Sequence, residues 1–178
     1  MTLGLAFDQV LTAAQAGAGW ARARLYESLA PAVAGYVRSQ GIDDPSDVTS
    51  DVFVAVLTGL GSFRGDESRF RSWVFTIAYR RVMDHWRARA KAPHLPAPGS
   101  APAAEDVALA GLGRERVQAL LEELTPDQRQ VLALRVVADL SLEQVAEALG
   151  KPVGAVKALQ HRALESLRRK ITGETVSR

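Results

Sequence analysis

Apolar residues recur along most of the chain at steps of three and four, the period of a helix that buries one face. Leu25, Leu29, Val33 and Tyr36/Val37 predict a helix over Trp20 to Gln40 that Gly41 ends, with Pro31 as a kink or break inside it. A second helix runs from about Pro45 to Leu60, with Val48, Val52, Val56 and Leu60 on one stripe and Phe53 and Leu57 beside it. Asp47 and Asp51 fall on another face, one turn apart. Gly61 to Ser68 reads as a loop, and Phe70 to about Arg89 as a third helix. The period resumes over Leu112 to Leu124. Further helices open at Thr125-Pro126-Asp127-Gln128 and Ser141-Leu142-Glu143-Gln144, and a last one runs from Pro152 to about Ile171. Both openings put a hydroxyl at the cap and a glutamine three residues on, the arrangement of a reciprocal capping box. No alternating strand or Asn-Gly hairpin intervenes. The pattern predicts an all-α fold.

Between the third helix and the rest lies APHLPAPGSAPAA, Ala92 to Ala104. Prolines, a glycine and small residues build no core and favour an extended, semi-stiff spacer. The expected organisation is therefore two small helical domains, 1–91 and 112–178, joined by a flexible Pro/Ala-rich linker over 92–111. A chain of 178 residues suits two such units, each burying a modest core.

Composition mainly removes possibilities. The 47% hydrophobic content is too high for a disordered chain, and the absence of cysteine excludes disulfides, thiolate metal sites and a cysteine nucleophile. His85, His94 and His161 show no paired-ligand spacing, and no glycine-rich phosphate loop or G-x-S-x-G elbow occurs. No catalytic residue, cofactor or metal is expected. The start, MTLGLAFDQVLTAAQ, lacks a basic stretch followed by an apolar one, so no signal peptide is expected. No run approaches the roughly 18 apolar residues of a membrane span. A cytoplasmic protein without membrane insertion is the reading.

The formal net charge of +2 hides a strong division. Arg69 to Lys91 holds seven bases against Asp84 alone, and Lys151 to Lys170 six bases against Glu165, whereas Glu105 to Glu147 nets −5. Asp43, Asp44, Asp47 and Asp51 form a short acidic block. Two cationic helices, one in each predicted domain, point to two footprints on a polyanion.

Leu142 to His161 fits a helix-turn-helix. Ala146 supplies the small residue where the helices cross, and Gly150 the turn residue free to become left-handed. Val145 and Leu149 on the first helix, with Val156 and Leu159 on the second, supply the inward apolar positions. The second helix would present Gly154, Lys157, Ala158, His161 and Arg162 to a major groove. Lys157 and Arg162 can bond a guanine edge or a phosphate, and His161 can do either or stack.

Phe63 to Arg81 interleaves five aromatics with arginines, and Trp86 follows. Aromatic faces accept unstacked bases while arginines hold the backbone, which suits single-stranded nucleic acid. Trp73 and Ile77, with Phe75, Ala78, Val82 and Trp86, form inward stripes. Arg64 and Phe70, beside a glycine-containing loop, are expected to be more exposed than Trp73.

These features together resemble a group 4, extracytoplasmic-function (ECF) sigma factor of the sigma-70 family of bacterial RNA polymerase. The resemblance runs from about Ala23 to Ile171. It rests on Asp44-Pro45-Ser46-Asp47-Val48-Thr49-Ser50-Asp51-Val52-Phe53, on Phe63-Arg64-Gly65, and on Trp73-Val74-Phe75-Thr76-Ile77-Ala78. In the second half it rests on Leu124-Thr125-Pro126-Asp127-Gln128-Arg129, Val145 to Gly150 and Pro152 to Lys157. It implies that Asp47, Ser50 and Asp51 contact core RNA polymerase. It implies that the loop and third helix melt the promoter −10 element, through Arg64, Asp66, Ser68, Phe70, Arg80, Arg81 and Arg87. It also implies that the helix-turn-helix reads the −35 element as duplex through Gly154, Lys157, Ala158, His161 and Arg162, while the linker threads the polymerase channel. Ser50 stands where the family usually has Gln, Arg80 where many members have Asn, and Ala158-Leu159 where a Ser-Arg pair is frequent. Many relatives are held by an anti-sigma factor, which makes such a protein a further candidate partner. The rival reading is a stand-alone helix-turn-helix regulator, which leaves the acidic helix and the aromatic–arginine helix unexplained.

Overall fold

The computed structural model describes residues 3–42, 44–91 and 116–176. The expected linker, residues 112–115, Asp43 and His94 lie outside the described residues. The described elements are α1 (Phe7–Gln15), α2 (Gly19–Ser39), α3 (Pro45–Gly59), α4 (Glu67–Lys91), a helical stretch α5 (116–122), α6 (Pro126–Val136), α7 (Leu142–Leu149) and α8 (Val153–Val176). Short 3-10 turns precede α1 and follow α3. The described residues contain no strand.

Helix ends follow local chemistry. The Asp44 side chain accepts from the Ser46 backbone N–H, with Pro45 at the first position of α3. Both expected capping boxes form: Thr125 with Gln128, and Ser141 with Gln144. Gly150 closes α7 at φ 62°, left-handed as expected. Two elements depart from expectation. Helix α2 continues through Pro31. The N-terminal segment also folds as α1, burying Phe7, Val10, Leu11 and Ala14. Those positions, three, one and three residues apart, have the helical spacing that marks the element in the sequence.

In the first half α3 packs against α2 and α4, and α1 against α2. In the second, α6, α7 and α8 pack on one another. The two halves also touch. Buried residues of α6, α7 and α8, among them Val131, Leu134, Val145 and Val156, belong to the same apolar cluster as Val33, Tyr36, Val74 and Phe75 of the first half. A smaller cluster of Leu124, Leu132 and Ala163 ties α6 to α8. Burial raises the Tyr36 phenol above its ordinary value and keeps it neutral, and its ring meets Phe75 edge-on at 5.9 Å.

Candidate nucleic-acid interface

The helix-turn-helix has the geometry its sequence demands. Val145 and Val156 are fully buried, Ala146 sits at the crossing, and Leu149 and Leu159 pack partly against the core. With those positions turned inward, Gly154, Lys157, Ala158, His161 and Arg162 are all exposed along one side of α8. The Glu143 carboxyl of α7 is held below its ordinary range by its own backbone N–H and the Ser141 hydroxyl, then by the charges of Lys157 and Arg135. Arg162 Nε donates to the Ala158 carbonyl at 3.3 Å, and His161 Nδ1 lies 3.5 Å from Glu165. The face carries two full positive charges, on Lys157 and Arg162, and the His161 ring.

On α4 the exposed side reads Arg69, Arg80, Arg81, Asp84 and Arg87, and Trp73 and Ile77 are partly covered. Arg87 pairs with Asp84 at 2.7 Å. The loop before the helix is tightly specified. Asp66 accepts the Arg69 backbone N–H at 2.8 Å, as an N-cap does, and Glu67 accepts the backbone N–H groups of Leu3 and Gly4. Gln15 of α1 donates to the carbonyls of Leu60 and Phe63, each at 2.9 Å. The exposed Arg64 guanidinium bonds the Gly61 and Phe63 carbonyls and stays at the loop rim.

Phe70 corrects the sequence expectation, since it is 2% exposed while Trp73 retains partial exposure. Its ring lies 5.6 Å from Phe7, 5.2 Å from Phe63 and 5.8 Å from Trp73. Helix α1, which the sequence reading missed, covers the very ring expected to face solvent. Ser68 is exposed but bonded, as Gln144 Nε2 donates to its hydroxyl at 3.0 Å.

Helix α3 turns Asp47, Ser50 and Asp51 outward. The same face carries Val54, 64% exposed, and Leu57, 43% exposed. Leu57, expected beside the inward stripe, thus turns outward while Phe53 stays buried, and with Val54 it extends the acidic face into a mixed surface that the sequence reading did not single out. Their positions seven and ten residues after Asp47 were the available signal.

Among the described residues no cluster of side chains could hold a metal, and no helix is long and apolar enough to cross a membrane.

Comparison with known proteins covers both halves. Residues 25–92 match the family described as Sigma-70 region 2, and residues 120–169 the family described as Sigma-70, region 4. The ECF RNA polymerase sigma factor SigD of Mycobacterium tuberculosis is 36% identical over 180 residues, spanning 94% of this chain and 85% of that relative. BldN of Streptomyces coelicolor, also an ECF RNA polymerase sigma factor, is 31% identical over 169 residues, spanning 90% of this chain and 64% of the relative. Among solved structures, CnrH in complex with the cytosolic domain of CnrY superposes with a TM-score of 0.71 at 28% identity, over 94% of this chain and 98% of that one.

Proposed function

This chain belongs to the ECF RNA polymerase sigma factors of the sigma-70 family, and from that premise we propose how its surfaces divide the work of directing core RNA polymerase to promoters. The α3 face binds core polymerase, with Asp47 and Asp51 giving charge, Ser50 a hydroxyl, and Val54 and Leu57 an apolar contact. The α4 stripe holds the melted −10 strand, with Arg80, Arg81 and Arg87 on phosphates and Arg64 and Ser68 at the loop rim. Asp66 shapes that loop as a cap. Phe70 supports it from beneath, and the partly exposed Trp73 ring offers the stacking surface. Flipping a base costs a few kcal/mol, which stacking and phosphate contacts offset. The α8 face reads the −35 duplex through Lys157, His161 and Arg162, with Gly154 and Ala158 letting the helix sit close.

We assign 1–91 to the −10 and polymerase-docking domain and 112–178 to the −35 domain, with 92–111 as the connection. Bond-making stays with the polymerase, and the protein works in the cytoplasm beside it. An anti-sigma factor is the further partner of this reading; the similar CnrH was itself solved in complex with another protein, the cytosolic domain of CnrY.

The observation that carries the reading is one chain holding both a sigma region 2 and a helix-turn-helix region 4, each with its cationic face exposed. A stand-alone regulator accounts for only the second of these. The test is transcription in vitro with core polymerase on a genomic promoter library. Initiation that depends on both proteins is expected. Binding of duplex sites by the protein alone, with no initiation, would return the regulator reading.

A further inference from the structure

Helix α1 lies before residue 25, where the match to sigma region 2 begins, yet it is bonded into the −10 loop. We infer that Gln15, the last residue of α1, is a positioning residue for −10 recognition, fixing the loop over 60–67 in the shape that captures an unstacked base. The inference deepens the promoter-directing reading and rests on it.

The tie is made by one group. A carboxamide nitrogen carries two hydrogens. Gln15 Nε2 gives them to the Leu60 and Phe63 carbonyls, each at 2.9 Å. The Phe63 N–H itself returns to the Leu60 carbonyl at 3.1 Å, so the amide closes this turn from the α1 side. The Phe63 carbonyl also holds Arg64, whose guanidinium donates to that oxygen at 2.6 Å and to the Gly61 carbonyl at 2.9 Å. One acceptor thus carries Gln15 and Arg64 together, and the clamp on Phe63 sets where the arginine stands at the loop rim. The Phe63 ring in turn lies 5.1 Å from the Trp73 ring, the proposed stacking surface.

The far end of the loop is tied to the same segment. Glu67, the first residue of α4, accepts the N–H groups of Leu3 and Gly4, just ahead of α1. Between the two ties the Phe7 ring meets Phe70 at 5.6 Å. Residues 3–15 therefore brace the loop from end to end. Gln15 is only partly exposed and both its hydrogens point inward, so it acts on the melted strand through the loop rather than by contact. A loop already held in its binding shape loses less affinity to ordering. Releasing the clamp should weaken capture of the melted strand and leave the α3 and α8 faces as they are.

The test uses core polymerase loaded with the full chain and a promoter that initiates in the library experiment. Three affinities are read: for core, for the −35 duplex, and for a single-stranded −10 oligonucleotide with an abasic residue scanned through it. Gln15→Met keeps the side-chain length and loses both donors. It should weaken −10 oligonucleotide binding about tenfold and flatten the abasic scan, while core and −35 duplex binding change by less than about twofold. Gln15→Lys returns donors at the end of α1, where a cation also suits the helix terminus, and should restore −10 binding to within about threefold of the unmodified chain. Unchanged −10 binding and an unchanged abasic profile in Gln15→Met overturn the inference. Equal loss of all three affinities does so too, because it marks a general scaffold defect. A Gln15→Lys protein as impaired as Gln15→Met is the third overturning result, since the donors would then not matter. Capture of the −10 oligonucleotide by the unmodified holoenzyme tests the promoter-directing reading on its own.

Discussion

At Gly65 the backbone takes φ 151°, and a Cβ there would stand 3.0 Å from both Cβ and Cδ of Arg69. Gly65→Ala therefore combines backbone strain with a clash. It should lower stability by about 1–3 kcal/mol in urea unfolding. Phe70 and Arg64 separate packing from contact. Phe70→Ala empties a site among Phe7, Phe63 and Trp73 and should cost about 3–5 kcal/mol. The exposed Arg64→Ala should move stability by less than about 0.5 kcal/mol while slowing promoter melting, read by permanganate reactivity of the −10 strand. The sequence showed that this loop mixes aromatics and arginines. It did not show which ring faces water, because Phe7, which covers Phe70, lies on a helix far away in the chain.

Elements were more legible, because their signals are local. The caps at Thr125 and Ser141, the left-handed Gly150 and the apolar spacing of α7 and α8 all operate within a turn or two. Ser141→Ala removes the cap of α7 and should destabilise by about 1 kcal/mol. It should also withdraw the hydroxyl that helps hold the Glu143 carboxyl low. The sign of the pH effect follows from that depression. Asp44 and Glu143 both lie below their ordinary values, the first chiefly through its bond from the Ser46 hydroxyl. Their stabilisation is complete above the ordinary carboxylate range and is lost as pH falls through the lowered folded values. Midpoints of urea unfolding should accordingly drop below about pH 4.5, and Ser141→Ala should reduce that drop. On α3, Asp47→Ala/Asp51→Ala removes two exposed charges and should weaken core binding about tenfold with the unfolding midpoint unchanged. Equal affinity would remove the docking assignment. On α8, Arg162→Ala should lose about 1–3 kcal/mol of −35 duplex binding, read as a loss of −35-dependent initiation.

At the scale of the whole molecule, the spacing of promoter elements sets the reach the chain needs. Deleting ten residues from 94–103 shortens the contour by about 35 Å. Initiation at promoters carrying both elements should fall at least about tenfold, while core binding through α3 persists. Apart from α1, the sequence alone determined the helices, their caps, the helix-turn-helix and the division of +2 into cationic helices and an acidic face, since each depends on neighbours within a few residues. That was enough to show the family resemblance. Tertiary structure decided what is buried. It placed α1 over Phe70, put Gln144 on Ser68 and slotted Val137 against Gly35, joining two expected cores into one cluster. Burial is a property of pairs, and these pairs join residues more than sixty positions apart, beyond the reach of any local periodicity.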